Sequence, residues 1–143
     1  MGAEYNINLH DKFGQLNVID VAVEAASREP WFNQTLTTVN DAVVRLGVID
    51  GDFHWHHHDD TDEFFLVLDG RFDIALREDG GQERTVELNA GDIFTVPRGT
   101  EHKPSSPGGA ILMFEPAGTV NTGDRHDDLP AYLTSTTGQD LTG

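Results

Sequence analysis

The chain contains no cysteine, which excludes disulfide staples, thiolate zinc sites and cysteine nucleophiles. No apolar stretch approaches the roughly 20 residues a helix needs to cross a bilayer. Basic residues are scarce: 9 lysines and arginines stand against 25 aspartates and glutamates, giving a formal charge of −16. A surface of that sign repels phosphate backbones and anionic lipid, so neither nucleic acid nor a membrane is an expected partner. It also slows an anionic substrate unless charge is reversed locally, and Arg45, Arg71 and Arg98 are the candidates for that reversal. The first residues lack the basic start and apolar core of a secretory signal. Met1-Gly2 has the look of an acylation start, but Asn6 stands where that motif needs Ser or Thr. The expectation is a soluble, cytoplasmic protein, and 143 residues suffice for one domain with a proper core.

What is abundant is short apolar runs cut by Gly, Pro, Asn and Asp. Residues 36–39 and 42–49 flank Asn40-Asp41, a hairpin signal. Asp50-Gly51-Asp52 reads as a turn into the next strand. Residues 64–68 are apolar on both faces, Asp69-Gly70 reads as a two-residue hairpin, and 71–76 alternate cleanly. Strands at 85–88 and 93–96, a loop at 105–109 and a last strand at 110–115 complete the series. Many short, evenly spaced strands argue for an all-β jelly-roll barrel. Residues 17–27 are ambiguous between strand and short helix, and Pro30 breaks the pattern. Trp31 and Phe32 are expected to pack into the core. After Pro116 the composition shifts to Thr, Gly and Asp. The expected organisation is therefore an N-terminal extension (1–35), a barrel (36–116) and a C-terminal arm (117–143) that drapes over the barrel or a neighbour.

Chemistry concentrates between His54 and Gly70, in HWHHHDDTDEFFLVLDG. Side chains alternate along a strand, so His54, His56 and His58 share one face while Trp55 and His57 take the other. Two imidazoles at i and i+2 can meet one metal ion. Glu63 is the nearest carboxylate beyond them. Its odd spacing would point it outward unless the polar Asp59–Asp62 stretch turns or bulges. A second segment, GDIFTVPRGTEH, carries Pro97, Gly99 and His102 at set intervals after Gly91.

Together the two segments resemble the cupin family, whose motifs run G-x5-HxH-x3,4-E-x6-G and G-x5-PxG-x2-H-x3-N. His56, His58, Glu63 and Gly70 match the first, although four residues rather than five follow Gly51. Gly91, Pro97, Gly99 and His102 match the second, with Ser106 in place of its closing Asn. The resemblance covers roughly residues 43–116. It implies a cupin jelly-roll barrel (a double-stranded β-helix) of the small, single-domain kind. By the same resemblance, His56, His58, Glu63 and His102 would bind one divalent transition-metal ion (Mn, Fe, Co, Ni or Zn). His57 is excluded by its face. His54 is expected to act as an acid/base group, to support the ligands, or simply to pack. The leaving of open positions on such an ion implies an enzyme acting on an oxygen-rich small molecule, of isomerase, lyase or dioxygenase type. The rival is a small-ligand sensing module without turnover, and a third reading is a purely structural barrel. Edge strands, Trp31, Phe32 and the arm lead to the expectation of a homodimer.

Overall fold

A computed structural model describes residues 6–117 and, for the backbone alone, 125–126. Its elements in chain order are β1 (Asn6–Asn8), α1 (Val21–Ala26), β2 (Phe32–Val39), β3 (Ala42–Asp52), β4 (His56–His57), β5 (Glu63–Arg77), β6 (Glu83–Asn89), β7 (Ile93–Val96), β8 (Glu101–Pro116) and β9 (Arg125–His126). Antiparallel pairing runs β2–β3–β8–β5, β5 also pairs with β6 and β7, and β1 adds in parallel to β2. The architecture is the expected all-β jelly roll. The ambiguous stretch resolves as the short helix α1, capped by Asp20, whose carboxylate accepts from the Val23 N–H.

Three expectations about turns are corrected. Asp69-Gly70 is no hairpin, and 105–109 is no loop. Both lie inside the long strands β5 and β8, which pair with each other through that point, Gly70 opposite Gly109. The register shifts between Val67 and Asp69 and again between Gly70 and Asp73 show where the ladder bends. Gly70, with φ 73°, supplies a corner here rather than a reversal. A Cβ on it would fall on the Gly108 carbonyl oxygen. Ser106, where the family motif closes on Asn, secures the same corner. Its Oγ donates to the Arg71 carbonyl (2.6 Å) and accepts from the Gly108 N–H (3.0 Å). Likewise Asp50–Asp52 does not leave the sheet: β3 passes through it on a bulge between Ile49 and Gly51. The Asn40-Asp41 hairpin forms as expected, with Val39 opposite Ala42 and Asn40 at φ 53°.

Strand alternation divides the molecule into two packed layers. Phe65, Val67, Phe72, Ile74, Leu76, Leu88, Val96 and Ile111 fill one part of the barrel interior. On the outside of β3, Leu46 packs with Phe32, Leu36 and Ala110, and Phe13, Ile19, Val21 and Ala25 close over them. The N-terminal segment is thus a cover for the β2–β3 face. Because β3 is covered on both sides, its alternate residues Val43, Arg45 and Gly47 are buried too. Trp31 and Phe32 are buried as expected, Trp31 near the ring of Phe53 (6.3 Å). Of the 117–143 arm, Ala117 donates its N–H to the Asp41 carbonyl and β9 pairs with β4; the remainder lies outside the described residues.

Candidate metal centre

Within the barrel the two sequence segments are bound to each other by backbone. His56 of β4 stands opposite His102 of β8. The Pro97–Gly99 turn grips the loop between β4 and β5: Gly99 N–H donates to the His58 carbonyl (2.8 Å), and Arg98 N–H to the Asp62 carboxylate (2.9 Å). That loop leaves β4 through a bend at Asp59–Asp60 and re-enters the sheet at Glu63. The change of direction offsets the odd spacing, and Glu63 is buried facing the histidines.

His56, His58, Glu63 and His102 are all buried, and one ligand atom from each lies within 4.8 Å of every other. Glu63 Oε2 is 2.6 Å from His102 Nε2, 3.1 Å from His58 Nε2 and 3.9 Å from His56 Nε2. The imidazoles are set from behind. His56 Nδ1–H donates to the His54 carbonyl and His102 Nδ1–H to the Thr100 carbonyl, both at 2.9 Å. A carbonyl only accepts, so these bonds fix Nδ1 as the protonated nitrogen and leave the Nε2 lone pair toward the cluster. The His102 ring, turned by that bond, then sets Nε2 in close contact with a Glu63 carboxylate oxygen. Such a pair needs positive charge between or upon it, from a proton or a cation.

Electrostatics favour the ligand state of His56 and of Glu63. Burial, with the charge of His102, holds His56 well below the ordinary histidine range, so its lone pair stays available. Burial alone would raise the Glu63 carboxyl. The charge and hydrogen bond of His102, with those of His58, instead hold it well below the usual carboxylate range. Three imidazole nitrogens and one carboxylate oxygen, buried and convergent, fit a first-row divalent ion.

The other histidines take different places. His57 turns to Asp59, Nε2 to Oδ1 3.0 Å, and is not in the cluster. His54 is buried with its ring between Phe53 and His56, at centroid distances of 4.3 and 4.9 Å. Its observed part is the carbonyl that orients His56.

A cavity of about 50 Å³ opens beside the cluster. His56 and Glu63 line it, with Phe65, Phe72, Ile111 and Met113 as apolar wall. Arg45 and Glu115 also line it, and both are buried. Sequence reasoning missed Glu115. Its signal was a lone carboxylate directly after the apolar run 110–114. Of the three arginines that could reverse local charge, Arg71 pairs with Asp73 and Glu87 at the surface and Arg98 lies beside Asp62. Arg45 alone of the three points into the barrel.

The family model of the cupin domain matches residues 42–125. A Bacillus subtilis relative, described as uncharacterized protein YdbB, is 38% identical over 90 residues, 63% of this chain and 74% of that protein. The 3-hydroxyanthranilate 3,4-dioxygenase of Ruegeria pomeroyi is 38% identical over 63 residues, 43% of this chain and 34% of that enzyme. The acireductone dioxygenase of Bacillus pumilus is 25% identical over 103 residues, 71% of this chain and 58% of that enzyme. The matched parts thus leave much of both dioxygenases' length without a counterpart here. Among solved structures, a cupin-2 domain containing protein from Shewanella frigidimarina has a TM-score of 0.62 at 33% identity, covering 69% of this chain and 94% of that one. No helix among the described residues is long and apolar enough to cross a membrane.

Proposed function

This chain belongs to the cupin domain family, and from that premise we propose that it is a mononuclear metal-dependent enzyme acting on an oxygen-rich small molecule. His56, His58, Glu63 and His102 would be the ligands of one divalent transition-metal ion. The observation that carries the reading is the convergence of these four buried ligand atoms within 4.8 Å. When bound, the ion would supply Lewis-acid polarisation or, if redox-active, dioxygen chemistry. The similarity to two dioxygenases favours the second type over isomerase or lyase chemistry.

The chain's own residues do the rest. The carbonyls of His54 and Thr100 hold the His56 and His102 rings and select their tautomers. The apolar wall of Phe65, Phe72, Ile111 and Met113 excludes water from the ligand and strengthens every polar contact made there. In this proposal the His54 imidazole, behind His56, is the acid/base group. The protein would act as a cytoplasmic homodimer. An apolar stripe on the outer sheet face supports the dimer: Phe114 lies opposite Phe64, and Ile93 opposite Leu66, two residues along the same strand face. Phe114 and Ile93 are exposed.

Elemental analysis of freshly purified protein, together with Glu63→Gln, tests the function. One metal ion per chain is expected, and the variant should lose more affinity than the roughly 10–100-fold typical of losing a supporting partner, with turnover lost. Turnover surviving that change with the metal gone overturns the reading. Ligand binding without turnover across a broad substrate panel would establish the sensing module instead.

A further inference from the structure

We propose that Arg45 forms an anion subsite inside the barrel, so that the small molecule taken by this cavity carries a carboxylate beside its other oxygen donors. The proposal names the substrate class of the metal site and rests on that reading of the site.

Arg45 sits in the middle of β3, where the strand is covered on both faces, and is 2% exposed. A guanidinium carries a permanent charge and five N–H donors in a planar fork. Burying such a group without partners is costly, so its hydrogen bonds should be satisfied. Yet among the described residues neither Nε nor Nη1 of Arg45 finds a hydrogen-bond partner. Glu115 stands nearby, but Oε1 is 3.5 Å from Nη1, beyond an ordinary N–H···O bond. Glu115 is also a weak counter-charge, because burial pushes its carboxyl up to about 7.

A carboxylate matches the missing partners, since its two oxygens take parallel bonds from adjacent guanidinium donors. The group lines the same cavity as His56 and Glu63, so one molecule can face both. At about 50 Å³ the cavity has space for a few waters and therefore for a small organic anion. Location explains how an acidic protein takes an anion: surface arginines are matched by neighbouring carboxylates, whereas Arg45 acts where water does not screen it.

The test compares glycolate with glycolamide, which has the same shape and oxygen spacing but no charge. Both are titrated calorimetrically into the manganese-loaded protein. Glycolate should bind about 10–100-fold more tightly, as charge-assisted bonds from a buried guanidinium require. That margin should shrink to roughly threefold or less in Arg45→Gln with manganese content unchanged. Arg45→Gln/Glu115→Gln removes both charges of the pair, so that a folded variant is available if the single change strands Glu115. A wild-type protein without the preference overturns the proposal, as does a preference that persists in a metal-loaded variant. Elemental analysis reports on the metal site separately. A chain holding no manganese sinks that reading, while the margin between the two probes still reports on Arg45.

Discussion

Replacing Glu115 with glutamine probes the electrostatics of the barrel interior through its effect on stability. Burial raises the Glu115 carboxyl from 4.5 to about 7, Arg45 opposes that rise, Glu63 adds to it and His58 lowers it. A carboxyl with a higher folded than unfolded pKa binds its proton more tightly when folded. Stability is therefore unaffected below pH 4.5, declines as pH rises from 4.5 to about 7, and is level above. At about 1.4 kcal/mol for each tenfold change in proton affinity, the full decline is about 3 kcal/mol. Glutamine cannot ionise and escapes it. The stability of Glu115→Gln relative to the parent should thus increase by about 3 kcal/mol between pH 4.5 and 8, or roughly 10 °C in Tm. Urea or thermal unfolding of chelator-treated proteins across that range measures it. Chelation matters because a bound dication would favour the ionised carboxylate and shrink the effect. The comparison is made as the difference between the two proteins at each pH, so that ionisations common to both drop out to first order. A difference that is flat with pH, or that falls toward alkaline pH, refutes the argument.

Two further outcomes follow from packing. Gly70→Ala should destabilise by several kcal/mol or prevent folding, because φ is 73° and the new methyl meets the Gly108 carbonyl and, at 2.9 Å, the Gly109 Cα; soluble yield and Tm report it, and a near-parental Tm would show that the corner relaxes. Sedimentation at micromolar concentration should give twice the 15.7 kDa chain mass, and a mass equal to one chain would refute the homodimer.

Much of the site was legible because it is local. His56 and His58 share a face by strand alternation, and the odd spacing of Glu63 required a change of direction that the bend at Asp59–Asp60 supplies. Turns were harder. Asp69-Gly70 carries a strong hairpin signal, yet a positive φ serves a corner as well as a reversal. Only its pairing with Gly109 across β5 and β8 decides between them.

Residue order alone therefore determined the β-rich pattern and the chemistry of the four prospective ligands, since each depends on neighbours a few positions apart. Tertiary structure decided what depends on distant partners. It brought His102 within 2.6 Å of Glu63, and it turned Arg45 inward beside Glu115. The physical reason is that burial is a property of the assembled barrel: β3 gains its two covered faces only when β2, β8 and the N-terminal segment close around it.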